Sequence, residues 1–235
     1  LADSPNSKLV IMGNGKDQIH LIVVVSADRG LCGGFNGTVT RQTRTVVSEL
    51  QAQNKTVKLL MVGRKSADAL RREFGSLYLS QHEGLQGTSV SYSDAANIAE
   101  SICKDFEVGE FDVCTLIYNR FKNAIMQEIT ISQLVPAEID RSNDEDNGLA
   151  RISYDYEPEE DELLSSLLPL NLSTQIYGAL LESSAAELAA RMTAMDNATR
   201  NAGELIDRLT LIYNRTRQAN ITSELIEIIS GAEAI

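Results

Sequence analysis

Apolar residues recur along the C-terminal part of the chain at the spacing of a coiled coil. From Leu181 to Tyr213 they follow alternating steps of four and three residues, and only Thr199 breaks the apolar character. The set is Leu181, Ala185, Leu188, Met192, Met195, Thr199, Ala202, Ile206, Leu209 and Tyr213. A seven-residue repeat of this kind predicts a narrow seam that packs against another helix.

The helix that carries this seam is predicted to be very long. No proline follows Pro169, and residues 171–230 read as one uninterrupted helix, which at the usual rise spans roughly 90 Å. A compact domain built from the preceding residues is only about 40 Å across. The other predicted helices, at residues 37–53 and 94–108, are too short to cover the seam. We therefore expect a partner from outside this sequence to pack on it.

The N-terminal part alternates between strand and helix patterns. Residues 18–26 form a continuous β-branched, apolar run, which is typical of a central strand that is buried on both faces. Further strands are predicted at 57–63, 77–80, 111–118 and 124–135, the last antiparallel and at an edge; further helices are predicted at 66–74 and 159–168. This alternation predicts a Rossmann-like open α/β sheet with helices on both faces, followed by the very long coiled-coil helix.

Charge separates the chain into three predicted regions: an α/β domain at 1–140, an acidic loop at 141–162 and the long helix at 163–235. The chain has a formal net charge of −12, and most of it comes from residues 138–162, where only Arg141 and Arg151 are basic. An acidic chain without a basic face is not expected to bind nucleic acid. The acidic segment itself is interpreted as a solvated loop.

A glycine-rich turn, residues 28–37, follows the first predicted strand and is the candidate for binding a phosphate group. It contains Gly30, Cys32, Gly33 and Gly34. The spacing departs from both the G-x-G-x-x-G fingerprint and the P-loop. Two interpretations stay open, a nucleotide-binding loop and a tight turn whose glycines let a neighbouring backbone come close; we favour the turn.

Other chemistry is sparse. The three cysteines, Cys32, Cys103 and Cys114, form no C-x-x-C pair, and His20 and His82 lie far apart in the sequence, so no metal site is expected. Cys32 has no adjacent basic residue to activate it and is predicted to be buried. We expect no catalytic residues and no bound cofactor. No apolar run is long enough to cross a bilayer, so any membrane association is expected to be indirect.

The tip of the long helix differs from its shaft. Past Tyr213 the seven-residue repeat breaks, and the apolar stripe resumes at Ile221 after a four-residue stutter, which locally unwinds a supercoil. Between the two parts of the apolar stripe lie three polar residues, Arg215, Arg217 and Gln218. Such a polar cluster is suited to directional, charge-assisted bonds with a partner.

Three segments resemble the gamma subunit of F-type ATP synthase. Residues 221–232 have the form I-T-x-E-x-x-E-x-x-x-G-A, and residues 191–202 and 214–219 resemble the rest of that family's C-terminal helix. The glycine turn at 28–36 resembles the same family. The sequence is most similar to those of alphaproteobacterial and mitochondrial members. The resemblance covers essentially the whole chain.

The resemblance implies a non-catalytic central-stalk subunit that couples proton translocation to ATP synthesis or hydrolysis on the beta subunits. Its implied partners are the alpha and beta subunits, the epsilon subunit and the c-subunit ring, and Arg217, Gln218 and Thr222 match positions that contact beta. The family's N-terminal helix, which pairs with the seam, is absent from this sequence. The implied location is peripheral, on the cytoplasmic face of a bacterial inner membrane or the matrix face of the mitochondrial one.

Two alternatives come from the residues alone. One is a doubly wound enzyme that binds a nucleotide at the glycine turn. The other is a scaffold that forms a homodimer through the seam. The enzyme leaves the seam unexplained, and the scaffold predicts concentration-dependent self-association.

Overall fold

Five strands form one mixed sheet in the computed structural model, which describes residues 13–85, 90–137 and 160–233. The strands are β1 (Ile19–Val25), β2 (Thr56–Val62), β3 (Tyr78–His82), β4 (Val113–Phe121) and β5 (Gln127–Val135), in the order β3-β2-β1-β4-β5. The first four are parallel, and β5 pairs with β4 in antiparallel orientation. The predicted Rossmann-like open sheet, including its antiparallel edge strand, is confirmed.

The strand β1 is central because both of its faces are apolar. It pairs with β2 from Ile19↔Thr56 to Val25↔Val62, and with β4 from His20↔Val113 to Val24↔Ile117. A strand buried on both faces has no place for alternating polar residues, which accounts for the run of apolar side chains that the sequence shows.

Helices cover both faces of the sheet, as predicted. They are α1 (Phe35–Ala52), α2 (Arg64–Phe74), α3 (Tyr92–Glu107) and α4 (Glu160–Glu233), with a short 3₁₀ turn at Gly75–Leu77. One core joins α1 and α2 to the sheet through buried residues such as Val39, Leu70 and Ile22. The opposite core joins α3 and α4 to the sheet through residues such as Ile98, Ile176 and Leu21.

The long helix begins earlier than predicted. We expected a short helix at 159–168 and a separate long one, but α4 is continuous from Glu160 to Glu233 and contains Pro169. A proline inside a helix removes one backbone hydrogen bond, and here the helix continues past it, with Ser173 Oγ donating to the Pro169 carbonyl at 2.6 Å. The rest of the predicted acidic loop lies outside the described residues.

The chain divides into two compact units, Leu1–Met192 and Thr193–Ile235. The first part of α4 therefore belongs to the α/β unit by its packing, whereas the sequence placed the start of the helical region at residue 163. The reason is a second apolar face on α4 that the seven-residue pattern does not reveal.

Candidate functional site: an exposed helical seam and a buried glycine turn

The first part of α4 has two opposite apolar faces. One face is buried against the α/β unit and consists of Leu168, Leu172, Ser173, Ile176, Ala179, Leu180, Ser183, Ala186, Glu187 and Ala190. The predicted seam lies on the other side: Leu181 follows Leu172, Ala185 follows Ile176 and Leu188 follows Ala179 by nine residues each. Nine residues are about two and a half turns of α-helix, so each pair points in opposite directions.

Every predicted seam residue is exposed. Leu181, Ala185, Leu188, Met192, Met195, Ala202, Ile206, Leu209 and Tyr213 all fall in the exposed class, with Leu188 at 61% and Met192 at 71% of full exposure. Leu167 and Leu170, nearer to the start of α4, are exposed as well. Contiguous apolar surface of this kind marks an interaction site.

A groove opens beside the seam. It has a volume of about 690 Å³ and lies between α4 and the strands β4 and β5, with Leu116, Tyr118 and Leu134 on the sheet side. Leu181 and Ala185 of the seam form part of its other wall. At its rim, Glu182 accepts a hydrogen bond from the Phe121 backbone N–H at 2.9 Å, so this carboxylate ties α4 to the end of β4.

The glycine turn differs from the expectation that a neighbouring backbone lies close to its glycines. Gly33 has a φ of 57° and Leu31 a φ of 64°, so the turn requires the left-handed region that glycine adopts most readily. A Cβ at Gly30 or Gly34 would meet no backbone atom. The close approach occurs instead at Gly63, where a Cβ would lie 1.9 Å from the Ser26 carbonyl oxygen.

Two side chains of the turn, Cys32 and Phe35, face the core, whereas Leu31 is 76% exposed. Cys32 and Phe35 are buried in a small cluster with Ala27 of the turn's base and Ala186 and Ala190 of α4. Burial, and then the nearby charge of Glu187, raise the pKa of the Cys32 thiol. A raised pKa disfavours the thiolate, in agreement with the predicted buried, unreactive cysteine.

This turn lies at the sheet's topological switch point, where β1 neighbours β4. In open α/β sheets, ligands bind in the crevice outside the carboxyl ends of the strands at this point. Here Asn119 of β4 is buried and donates from Nδ2 to the Phe35 carbonyl at 3.1 Å. Asn36 accepts from the Ala27 N–H at 3.0 Å. These two hydrogen bonds hold the start of α1 to β4 and to the end of β1.

Burial also disfavours the thiolate form of the other two cysteines. Cys114 is fully buried, and burial raises the pKa of Cys103 to about 11. Among the described residues no cluster of histidine, cysteine and acidic side chains is suited to a metal ion. Within the same residues, no helix has the length and apolarity that a membrane span requires.

The residues predicted to contact beta lie on the exposed end of α4. Arg217, Gln218 and Thr222 are exposed, and Thr222 Oγ1 donates to the Gln218 carbonyl at 2.8 Å. The Thr222 hydroxyl thus bonds within its own helix, whereas the side chains of Arg217 and Gln218 have no bonded partner among the described residues.

An α/β unit that is joined to a helix with an uncovered coiled-coil seam is typical of one class of protein: a subunit that works by packing against partners. The comparisons with known proteins agree. The family model described as ATP synthase matches residues 2–235. The gamma chain of Rhodospirillum rubrum ATP synthase is 54% identical over 95% of this chain and 76% of its own length.

Other relatives give the same result. The ATP synthase gamma chain of Rhizobium etli is 51% identical over 100% of this chain and 80% of its own length. The chain belongs to the family of ATP synthase gamma chains, and its role is that of the central-stalk subunit.

Solved structures share the fold. A chain from the central stalk and c-ring of Tetrahymena thermophila mitochondrial ATP synthase matches with a TM-score of 0.62 and 30% identity, over 84% of this chain and 83% of that chain. A chain from the Euglena gracilis mitochondrial enzyme matches with a TM-score of 0.71 over 100% of this chain and 77% of that chain. The latter, at 22% identity, supports the fold alone.

Proposed function

We propose that this chain is the shaft of a rotary ATP synthase and that it has no catalytic centre of its own. The observation that carries the proposal is the exposed seam on the side of α4 opposite to its packed face. An apolar stripe that is turned away from the chain's own core is stabilised only when a partner covers it. The proposed shaft couples proton translocation mechanically to the chemistry on the beta subunits.

The proposed neighbours of the seam are a second helix of the gamma subunit and the hexamer of alpha and beta subunits. The groove between α4, β4 and β5 supports the first of these, since its wall includes the seam residues Leu181 and Ala185. Alanine and methionine in the seam allow close and adaptable packing. The epsilon subunit and the c-subunit ring are the proposed partners of the α/β unit.

We propose further that the chain binds neither a nucleotide nor a metal ion. The crevice at the switch point supports this, because Cys32 and Phe35 pack there against Ala186 and Ala190. The proposed location is peripheral, at the cytoplasmic face of the bacterial inner membrane, with the mitochondrial matrix face as the counterpart.

Purification of the native assembly tests this function directly. A tag in the acidic segment at 141–159 would be used to isolate the complex, and its components would be identified by mass spectrometry. Recovery of alpha, beta and epsilon subunits is the expected result. Recovery of the chain alone or as a homodimer would overturn the proposal and favour a scaffold.

The proposed beta contact is tested by R217A/Q218A. Charge-assisted hydrogen bonds contribute about 1.5–3 kcal/mol each, so we expect about a tenfold or greater loss in the affinity of the chain for the alpha–beta assembly. The control variant, R151A/S153A in the acidic segment, also removes one guanidinium and one polar side chain. Equal losses for the two variants in a titration of the assembly would contradict the contact.

A further inference from the structure

Asparagine is followed directly by glycine at three places in the sequence, and two of these pairs lie among the described residues. They are Asn14–Gly15, in the loop before β1, and Asn36–Gly37, in the first turn of α1. An asparagine in this context is chemically labile, because glycine places no side chain beside its own backbone nitrogen and adopts many conformations. The two pairs are therefore candidate sites of deamidation.

Deamidation needs no enzyme and no reactant other than water. The backbone nitrogen of the glycine loses its proton and attacks Cγ of the asparagine, which closes a succinimide ring through a new C–N bond. The bond between Cγ and Nδ2 breaks, and Nδ2 takes up a proton and leaves as ammonia. Water then opens the ring at either carbonyl and gives aspartate or isoaspartate, so that an uncharged amide becomes a carboxylate.

The backbone, rather than exposure, distinguishes the two pairs. Asn14 and Asn36 are both half-buried, and the glycines that follow them are both exposed. Ring closure requires the asparagine backbone to rotate until the side chain meets the next nitrogen. At Asn36 the helix fixes that backbone, the preceding Phe35 is buried, and Oδ1 accepts a hydrogen bond from the Ala27 N–H at 3.0 Å. We therefore expect Asn36 to be protected.

Asn14 lies in surroundings that favour ring closure. Residues 13–18 lie outside helices and strands, and a Cβ at Gly15 would meet nothing within 4 Å, so the ring has room to form. The Lys16 N–H donates to Asn14 Oδ1 at 2.9 Å. Negative charge develops on this oxygen when the nitrogen attacks Cγ, and an N–H group that is already in position stabilises such charge.

The amide of Asn14 also has a structural role. Its Nδ2 donates to Asp112 Oδ1 at 2.6 Å, and Asp112 Oδ2 accepts hydrogen bonds from the N–H groups of Gln18 and Ile19, where β1 begins. An ionised aspartate at position 14 has no hydrogen to donate, and its charge would lie beside that of the buried Asp112. Like charges in one site disfavour each other. Deamidation would thus remove a hydrogen bond and add a repulsion at the start of β1.

We propose that Asn14 is a site of spontaneous deamidation and that the conversion of its amide to a carboxylate weakens the attachment of the start of β1 to Asp112. The hydrogen bond from Nδ2 to Asp112 restrains the side chain, so Asn14 reacts more slowly in the folded chain than in an unstructured peptide, but faster than Asn36. The proposal is independent of the shaft function, because it concerns the α/β unit alone.

The rates of deamidation test the site. The full-length chain would be incubated in mildly alkaline buffer made with heavy-oxygen water and digested at intervals, and mass spectrometry would follow the appearance of labelled acid at residues 14 and 36. Ring closure at Asn36 must first open the start of α1 and its hydrogen bonds, so we expect Asn14 to react about tenfold faster or more. Synthetic peptides of residues 9–20 and 31–42, which have no fold to protect them, should react at similar rates.

The matched control is Asn14→Gln, which keeps an amide donor at this position. Its longer side chain would have to close a larger ring, so residue 14 should keep its amide throughout the incubation. Equal rates at Asn14 and Asn36 in the folded chain would overturn the inference. So would the absence of acid at residue 14 after the 9–20 peptide has reacted completely.

The structural consequence is tested with Asn14→Asp, which reproduces one product of the reaction. Urea unfolding of the full-length chain at neutral pH should show an equilibrium constant for folding that is about tenfold lower than that of the unaltered chain. The deficit should shrink as the pH falls, because a proton shared by the two carboxyls restores a donor between them. Asn54→Asp, at an exposed turn, adds the same charge and should have no such effect. Equal stability of Asn14→Asp and the unaltered chain at neutral pH would refute the consequence.

Discussion

The parts of α4 before and after Met192 share a seven-residue apolar repeat, but they differ in how much apolar surface they bury in the core of the chain. Before Met192 the helix also has a buried face, and residues such as Ile176 are 1% exposed. After Thr193 the apolar residues are exposed, and Leu209 keeps 54% of its surface. The hydrophobic effect is proportional to the area removed from water, so similar side chains have different energetic roles in the two parts.

The comparison shows how one helix serves two purposes. The first part stabilises the α/β unit through its buried face, while its seam remains exposed to solvent. The second part receives little stabilisation from packing within the chain. We infer that the stability of the second part depends mainly on partners, because long isolated helices in water rely on propensity alone.

Truncation of matched aliphatic side chains is expected to give the largest difference. Ile176→Ala should lower the free energy of unfolding by about 2–5 kcal/mol, since it opens a cavity in the core. Leu209→Ala should change it by no more than about 0.5 kcal/mol, as is usual for exposed positions. Urea unfolding of the isolated chain, followed by near-UV circular dichroism, measures both. Equal losses would contradict the division between the two parts.

Replacing glycine by alanine is expected to have opposite signs in the two units. At Gly63 the φ of 94° and the Ser26 carbonyl oxygen leave no room for a Cβ, so Gly63→Ala should cost about 1–3 kcal/mol through overpacking and more through backbone strain. At Gly203 nothing lies within 4 Å, so Gly203→Ala should stabilise the helix by about 1 kcal/mol.

The melting temperature of the isolated chain, followed by circular dichroism at 222 nm, measures the stability of both glycine variants. Gly34→Ala is the control for the first of them, because its φ of −82° suits any residue and the surrounding space is open. A destabilising Gly203→Ala would show that the exposed helix packs on something within the chain.

Much of this architecture could be predicted from sequence because its signals are strong and local. The β-branched run of β1 and the seven-residue seam depend on large apolar side chains, whose periodicity is readily seen. The edge position of β5 followed from its alternation and its short connection to β4. The helices on both faces of the sheet then followed from the alternation of strands and helices.

The packed face of α4 was missed because its signal is weak. Ala179, Ser183, Ala186 and Ala190 are small, and Glu187 interrupts the apolar pattern. The nine-residue offset between Leu172 and Leu181, and between Ile176 and Ala185, is the signal that would have revealed it. Pro169 suggested a break in the helix, although one missing hydrogen bond does not end it.

The glycine turn shows a different limit. Its composition identified a tight turn, but which glycine admits a neighbouring backbone depends on how two loops meet in space. Gly63 is a lone glycine between β2 and α2, so nothing in the sequence distinguishes it from an ordinary helix start. Likewise, the contacts proposed for Arg217 and Gln218 depend on partners that one chain does not contain.

A smaller difference between the two parts of the molecule is expected in their loss of stability at low pH. The α/β unit contains a carboxyl group, that of Asp112, whose pKa is lowered in the folded state. Asp112 is 5% exposed at the amino end of the sheet. Its carboxylate accepts hydrogen bonds from Asn14 Nδ2 at 2.6 Å, the Ile19 N–H at 2.9 Å and the Gln18 N–H at 3.0 Å. Burial alone would raise the pKa of this carboxyl, but these bonds outweigh it and hold the pKa below the usual 3.8.

A carboxyl whose pKa is lowered by folding stabilises the protein wherever it is ionised in both states. The stabilisation by Asp112 is therefore complete above about pH 3.8 and is lost as the pH falls through the lower pKa of the folded state. Asp112→Asn, which leaves one donor without an acceptor, should cost about 1–3 kcal/mol at neutral pH and should flatten the decline in acid. The measurement is urea unfolding at several pH values between neutrality and pH about 3, with Asp94→Asn in the first turn of α3 as control. If the decline in acid were as steep in Asp112→Asn as in the unaltered chain, the acid sensitivity of the α/β unit would have another origin, and the three hydrogen bonds to Asp112 would serve only to position β1 beside β4.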